Sequence, residues 1–302
     1  MPLRLLREAG VEIVPNPFGR RLTEDEALRH LEGVDGLVAG LEPLTRRVLA
    51  ASPRLKAIAR VGIGMDNVDL EAARELGIRV SNTPDAPSRA VAEMTVAAAL
   101  ALSRNLVGLD RAMHEGRWEK TISPGLWERS VLLIGLGRIG RSVASLLRSF
   151  GARVSAVDPH LSPDEFGDIP RTTLEDGLPR AEVVSLHAAG RAVILGPAEF
   201  SRMADGVLLL NCARAELVDE QALVEALDSG KVSGAWFDVF WDEPYGGRLK
   251  EYGQVLLTPH VGTYTAACRR EMETAAVRNL LQDLRAAERA QRAAPSTPSN
   301  RS

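Results

Sequence analysis

An arginine, two carboxylates and a histidine stand at the ends of three successive apolar runs in this 302-residue chain. "LLLNCARAELVDE" (208–220) puts Arg214 just past a run of leucines and Asn211. "AWFDVFWDEP" (235–244) ends its apolar run in Asp238, with Glu243 five residues on, and "QVLLTPH" (254–260) ends in His260, its backbone stiffened by Pro259. A guanidinium is charged at any physiological pH and is costly near a core without an anionic partner. Its planar fork suits a carboxylate and a carbonyl oxygen on which charge develops. Histidine supplies a base that works near neutrality, and a carboxylate behind it fixes its orientation and stabilises its protonated form. These types together suit hydride transfer to or from a 2-hydroxy acid. Taken singly, Arg214 could pair with Glu216 or Asp219 at the surface, Glu243 could be a solvated loop residue, and His260 could be a structural histidine. Their convergence on consecutive strand ends is what points to chemistry.

Upstream, "VLLIGLGRIGRSVASLLRSFG" (131–151) follows an apolar strand with Gly135, Gly137 and Gly140 and then a helical pattern. The first glycine permits a tight turn, the second a close backbone approach to a pyrophosphate, and the third close helix–strand packing. Eighteen positions past Gly140, at the end of the next strand, stands Asp158. A carboxylate there accepts ribose hydroxyls and repels a 2′-phosphate, which implies NAD rather than NADP. A packing turn with a solvated Asp158 is the plainer alternative, and the full strand–turn–helix context argues against it. His187, ending the following strand, reads as lining of the cofactor pocket, His160 as a surface residue and Cys212 as a small buried one.

These groups need a scaffold whose strands all deliver their carboxyl ends to one rim. From residue 131, strands read at 131–135, 153–158, 181–187, 206–211, 232–239 and 254–260 with helices or crossovers between, the pattern of a doubly wound parallel sheet. The first 80 or so residues carry a second βαβ rhythm, with strands at 11–14, 36–40, 55–61 and 79–82. "NTPDAPS" (82–88) reads as a domain boundary leading into an apolar helix at 88–104, and a long helix spans 265–293. The polar tail from about residue 290 is expected to be disordered. The composition is 45% hydrophobic and 25% charged with net charge −3, which argues against a nucleic-acid partner. Two distant cysteines, Cys212 and Cys268, give neither a disulfide framework nor a metal site and fit a reducing cytoplasm. The start shows no signal-peptide pattern, and "AVAEMTVAAALAL" (90–102), with Glu93 inside it, is too short to span a bilayer.

With those residues in view, the chain resembles the D-isomer specific 2-hydroxyacid dehydrogenase family, in its phosphoglycerate dehydrogenase-like branch, up to about residue 285. The stretches that carry the resemblance are "RVGIGMDNVDL" (60–70), "AVAEMT" (90–95), "GLGRIG" (135–140), "NCAR" (211–214), "DVFWDEPY" (238–245) and "LLTPHVGTYT" (256–265). The resemblance implies a Rossmann NAD-binding domain over 87–264. It implies a smaller flavodoxin-like substrate domain over 1–86 and 265–302, with the active site in the cleft between them. It implies that Arg214 binds the substrate carboxylate and carbonyl, that His260 is the acid–base and that Glu243 is its partner. Asp238 would hold the nicotinamide carboxamide and the Arg138–Ile139 turn would cover the pyrophosphate, while Thr95, His187, Cys212 and Ala213 belong with the cofactor site. Arg60, Val61 and Gly62 match the substrate loop, where backbone amides meet the carboxylate and Arg60 suits a second anionic group. Members are usually homodimers built on the cofactor domain, and "MHEGRWEK" (113–120) looks like the dimer arm.

The chain differs in having Ala215 where a glycine is usual and "HAAG" (187–190) after the third strand, and in lacking a strand before "LRLLREAG" (3–10), so either that strand is missing from this sequence or the small sheet is reduced. No added regulatory domain is expected after the last helix. The substrate implied is 3-phosphoglycerate or a related phosphorylated or phosphonate acid. A hydroxypyruvate or glyoxylate reductase is the rival within the class, and a non-catalytic NAD(H)-sensing protein the rival outside it. The intact arginine, glutamate and histidine speak against the sensor.

Overall fold

The apolar runs pair as two wholly parallel sheets in the computed structural model, which describes residues 2–293. Chain contacts divide the protein into two units, one running to Pro87 and resuming at Thr265, the other spanning Ser88–Tyr264.

The first unit contains α1 (Pro2–Glu8), α2 (Glu24–His30), β1 (Gly36–Ala39), α3 (Arg46–Ala50), β2 (Ala57–Arg60), α4 (Leu70–Glu75) and β3 (Arg79–Ser81). Its strands pair in the order β1-β2-β3. Helix starts are set by side chains that take otherwise unpaired amides: Thr23 with Glu26 forms a capping box on α2, Thr45 caps α3 and Asp69 caps α4. Leu31, Leu44, Val48, Leu49, Ile58 and Ala72 fill the core. The run at 11–14 expected as a strand enters no ladder among the described residues. Val11 and Ile13 are half-buried while Glu12 and Val14 are exposed, so the alternation gives it a face. The pairing that makes a strand comes from a neighbour it does not have here, and Pro15 and Pro17 remove two donors just beyond.

The second unit runs through α5 (Pro87–Ser103), α6 (Leu106–His114), β4 (Ser130–Ile134), α7 (Arg138–Ser149), β5 (Arg153–Val157), α8 (Leu174–Gly177), β6 (Val183–Leu186), α9 (Pro197–Arg202), β7 (Val207–Asn211), α10 (Glu220–Asp228), β8 (Val232–Phe237) and β9 (Val255–Leu257). The strand order is β5-β4-β6-β7-β8-β9, so the winding reverses between β4 and β6, where an open α/β sheet forms its ligand crevice. Strand period two sorts the residues to opposite faces: Val131 and Leu133 join one core with Leu208, Leu210 and Trp236, while Leu132 and Ile134 join the other with Leu209 and Phe237. The apolar helix α5 covers one face through Ala92, Val96, Ala98 and Ala99. Among the described residues no single helix is long and apolar enough to cross a membrane.

The last helix, α11 (Ala266–Ala293), belongs to the first unit, where Met272, Ala276, Val277 and Leu280 are buried and the sheet packs on it. Gly36 lets it approach β1, since a Cβ there would lie 3.0 Å from the Leu280 side chain. The helix continues to 293, so the disorder expected from about 290 does not hold for its last residues, and the rest of the tail lies outside the described residues.

Candidate active site

The glycine turn does what its spacing implies. Gly135 has φ +98°, and a Cβ on it would sit 2.5 Å from the Ala188 amide nitrogen, against the chain leaving β6. At Gly140 a Cβ would lie 2.3 Å from the Gly135 carbonyl, so only glycine lets α7 dock on the turn. Gly137 faces open space and caps α7 without a side-chain bond, which leaves a twelve-residue helix presenting its N-terminal amides beside an exposed glycine. That is a cradle for a pyrophosphate, and the residues fit a dinucleotide. Arg138 is exposed and Ile139 half-buried on the same turn. Asp158 at the end of β5 accepts the Leu136 amide on Oδ2 (2.9 Å) and the His160 amide on Oδ1 (3.0 Å). It therefore braces the turn with lone pairs to spare for ribose hydroxyls.

Beside the switch point a chain of polar groups links β6, β7 and α5. Ser185 Oγ lies 2.8 Å from His187 Nε2, His187 Nδ1 lies 3.8 Å from Cys212 Sγ, and Cys212 Sγ lies 3.4 Å from Thr95 Oγ1. Desolvation holds the His187 imidazole down at about 4, and burial pushes the Cys212 thiol up to about 12. Both groups are thus neutral over the physiological range, and the thiol is no nucleophile. Thr95 was expected among the cofactor residues, but it is wholly buried and donates to the Val91 carbonyl (2.8 Å).

Arg214 is held by its own loop. Asn211, fully buried at the end of β7, donates to the Arg214 carbonyl (2.8 Å) and accepts the Ala213 amide (3.0 Å). Arg214 Nη1 donates to the Ala213 carbonyl (2.7 Å). Ala215 opens a 3-10 turn without positive φ, so the glycine usual in relatives is not required by the backbone here. Glu216 lies 3.5 Å from Arg191, and Asp219 caps α10.

The buried carboxylate of Asp238 organises the rest. Only 2% exposed, it accepts Thr258 Oγ1 (2.6 Å) and the Val261 amide (2.9 Å) on Oδ1, and the Gly262 amide (2.7 Å) on Oδ2. Thr258 in turn accepts Trp236 Nε1 (2.9 Å). These bonds clamp both sides of His260, whose φ of +54° costs a non-glycine residue about 1–3 kcal/mol. The turn delivers His260 Nδ1 to the Glu243 carboxylate, 3.0 Å from Oε1 and 3.1 Å from Oε2. Glu243 Oε1 also accepts the Phe240 amide (3.3 Å), so the acid is fixed before the histidine meets it. Asn211 and Thr258 escaped the sequence reading as functional supports. Their signal was position alone, a polar residue at the end of an apolar strand.

In the first unit, Arg60 donates through Nη1 to the Val61 carbonyl and folds over Gly62, where a Cβ would lie 1.6 Å from that nitrogen. The amides of Val61 and Gly62, expected to meet a carboxylate, donate instead to the Ala39 carbonyl (2.9 Å) and Thr83 Oγ1 (2.8 Å). The chain leaves β2 still paired to the end of β1, and that pairing consumes the first of them. Glycine at 62, with φ +136°, is what makes room for the guanidinium.

Residues 96–262 match the profile of the D-isomer specific 2-hydroxyacid dehydrogenase family, NAD binding domain. The chain is 35% identical over 272 residues to D-3-phosphoglycerate dehydrogenase of Homo sapiens, covering 87% of this chain and 50% of that one. It is 38% identical over 238 residues to D-3-phosphoglycerate dehydrogenase of Mycobacterium tuberculosis (strain ATCC 25618 / H37Rv), covering 76% and 45%. It thus spans about half the length of the curated relatives it matches. Among solved structures it is similar to the TT0316 protein from Thermus thermophilus, with a TM-score of 0.87, 36% identity and 94% of each chain covered. It is also similar to a glyoxylate reductase from Paecilomyes thermophila, with a TM-score of 0.84, 29% identity, and 94% and 91% covered.

The neutral His187 has a cost at low pH. Its folded value of about 4 lies below the ordinary 6.5, so between those values the unfolded chain binds the extra proton and stability falls as pH falls through the window. The full effect is on the order of 3 kcal/mol. Denaturant unfolding of wild type and His187→Gln from pH 7 to 4 is expected to show a shallower decline in the variant. Parallel curves would mean that His187 is hydrated.

Proposed function

Because the chain belongs to the D-isomer specific 2-hydroxyacid dehydrogenase family, with the family's NAD binding domain over residues 96–262, we propose that it is an NAD-dependent dehydrogenase of a small D-2-hydroxy acid. Its substrate is 3-phosphoglycerate or a related phosphorylated or phosphonate three-carbon acid. NAD, when bound, supplies or accepts the hydride. The observation that carries the reading is the Glu243–His260 pair, set with Arg214 at the carboxyl ends of three adjacent strands.

With Nδ1 turned to Glu243, His260 has Nε2 left to take the hydroxyl proton in oxidation and to return it in reduction. Glu243 fixes the ring and stabilises the imidazolium. Arg214 offers its fork to the substrate carboxylate and to the carbonyl oxygen as charge builds there. Asp238 holds the His260 turn and has capacity left to accept the nicotinamide carboxamide. Arg138 and Ile139 cover the pyrophosphate, Asp158 receives the ribose, and His187, Cys212 and Ala213 line the pocket. Arg60 is assigned the second anionic group of the substrate. A non-catalytic NAD(H) sensor has no use for a histidine held in left-handed conformation against a fixed glutamate. A hydroxypyruvate or glyoxylate reductase is the second reading, favoured by the likeness to the glyoxylate reductase from Paecilomyes thermophila.

The enzyme is further proposed to work in the cytoplasm as a homodimer through the NAD binding unit. Support for the dimer comes from Trp118 at 77% exposure and Ile122 at 104%, close in sequence to exposed Leu106, Met113 and Trp127. Large apolar side chains so exposed and so close together mark an association surface.

Arg214→Lys keeps the charge and loses the fork, so kcat/KM is expected to fall at least about 100-fold, or ~2.7 kcal/mol, while NADH binding holds. Turnover within a few-fold of wild type would remove Arg214 from the chemistry. A screen of 2-keto acids with and without phosphate or phosphonate, following NADH consumption, tests the substrate. Arg60→Ala is expected to cost the phosphorylated acid roughly 1.5–3 kcal/mol in kcat/KM and to spare hydroxypyruvate. Equal losses would leave the reductase reading standing. Sedimentation should give a dimer that Ile122→Glu with Trp118→Glu converts to a monomer. A wild-type monomer would exclude that interface.

A further inference from the structure

The loop leaving β8 carries more aromatic surface than the placement of one glutamate requires. Phe237, Phe240, Trp241 and Tyr245 fall within nine residues. The Trp241 ring centroid lies 5.7 Å from Phe237 and 6.4 Å from Tyr245, and Phe240 stacks on Tyr245 at 4.7 Å. Two of these rings also end in polar bonds to the same short segment. Trp241 Nε1 donates to the Val218 carbonyl (3.1 Å), and Tyr245 Oη donates to Glu220 Oε1 (2.6 Å). Val218 and Glu220 flank Asp219, the cap of α10, at the point where the chain returns from Arg214 through the 3-10 turn Ala215–Leu217. The contact is built closely, since a Cβ on Gly247 would lie 2.3 Å from the Tyr245 hydroxyl. Burial also pushes the Tyr245 phenol up to about 12, so it remains a donor.

We propose that Trp241 and Tyr245 are positioning residues that staple the Glu243 loop to the Arg214 loop and so fix how the Glu243–His260 pair stands relative to the arginine. Asn211 holds Arg214 from behind, and Asp238 holds the His260 turn, but neither set of bonds spans the stretch from Phe240 to Tyr245. The indole and phenol bonds do span it. A binding group and a proton-transfer group on separate loops lose rate steeply when their spacing drifts, by about 100-fold for a displacement of 1 Å. The staple therefore acts through Arg214 and Glu243 without touching substrate itself. The inference rests on the dehydrogenase reading above.

Tyr245→Phe keeps its ring and deletes the hydroxyl's bonds to Glu220 and from the Leu249 amide, and Trp241→Phe keeps an aromatic side chain and deletes the indole donor. Amide hydrogen exchange of the ligand-free protein is expected to quicken at 214–220 and at 238–245 together in either variant. With the keto acid that wild type prefers, kcat is expected to fall about tenfold while the KM for NADH stays within about twofold. Unchanged exchange at 214–220 would overturn the proposal, as would a loss of kcat matched by an equal rise in the KM for NADH, the mark of a generally loosened fold. Should Trp241→Phe fail to fold, Tyr245→Phe decides alone. A wild type that reduces no keto acid sinks the dehydrogenase reading, and exchange then decides the staple by itself.

Discussion

The arrangement of the second unit turns on one buried carboxylate. Asp238, at the end of β8, cannot leave water without replacing its hydration, and it does so with a hydroxyl and two backbone amides. All three come from the chain just beyond β9. Satisfying the carboxylate therefore fixes that chain on both sides of His260 and holds the histidine in a left-handed conformation it would not choose. The charge that is costly to bury is what offsets the strain of the turn. The Glu243–His260 contact follows from that turn and from the folding of Glu243 onto its own loop.

A second constraint sits at the other end of the crevice, where β4 and β6 part. There the Gly135 backbone passes the chain leaving β6 too closely for any side chain, and Asp158 ties the following amide to the end of β5. Glycine and carboxylate are thus parts of one turn. The acid that reads as a ribose ligand is also a strut of the glycine turn.

The two histidines at strand ends show how setting decides chemistry. His187 stands between Ser185 and Cys212 and is held neutral by desolvation. His260 has a side chain 44% exposed, with Nδ1 held against the Glu243 carboxylate. Their sequence contexts, a histidine closing a run of apolar residues, differ little. Their partners differ because β6 lies at the switch point and β9 at the sheet edge.

The sequence by itself determined the alternation that sends Leu132 and Leu133 to opposite cores, the glycine spacing of the cofactor turn and the identity of Arg214, Glu243 and His260 as reactive types. Each of those is a local property, readable from period, spacing or side-chain chemistry. Tertiary structure alone decided which residues meet. Residues 11–14 have strand composition yet enter no ladder, because pairing depends on a neighbour and not on propensity. Thr95 reads as a cofactor residue, and packing buries it beside Cys212. Val61 and Gly62 offer amides on paper that the sheet and Thr83 have already taken. Hydrogen bonds and burial are relations between segments far apart in the chain, and a list of residues does not contain them until the fold brings the segments together.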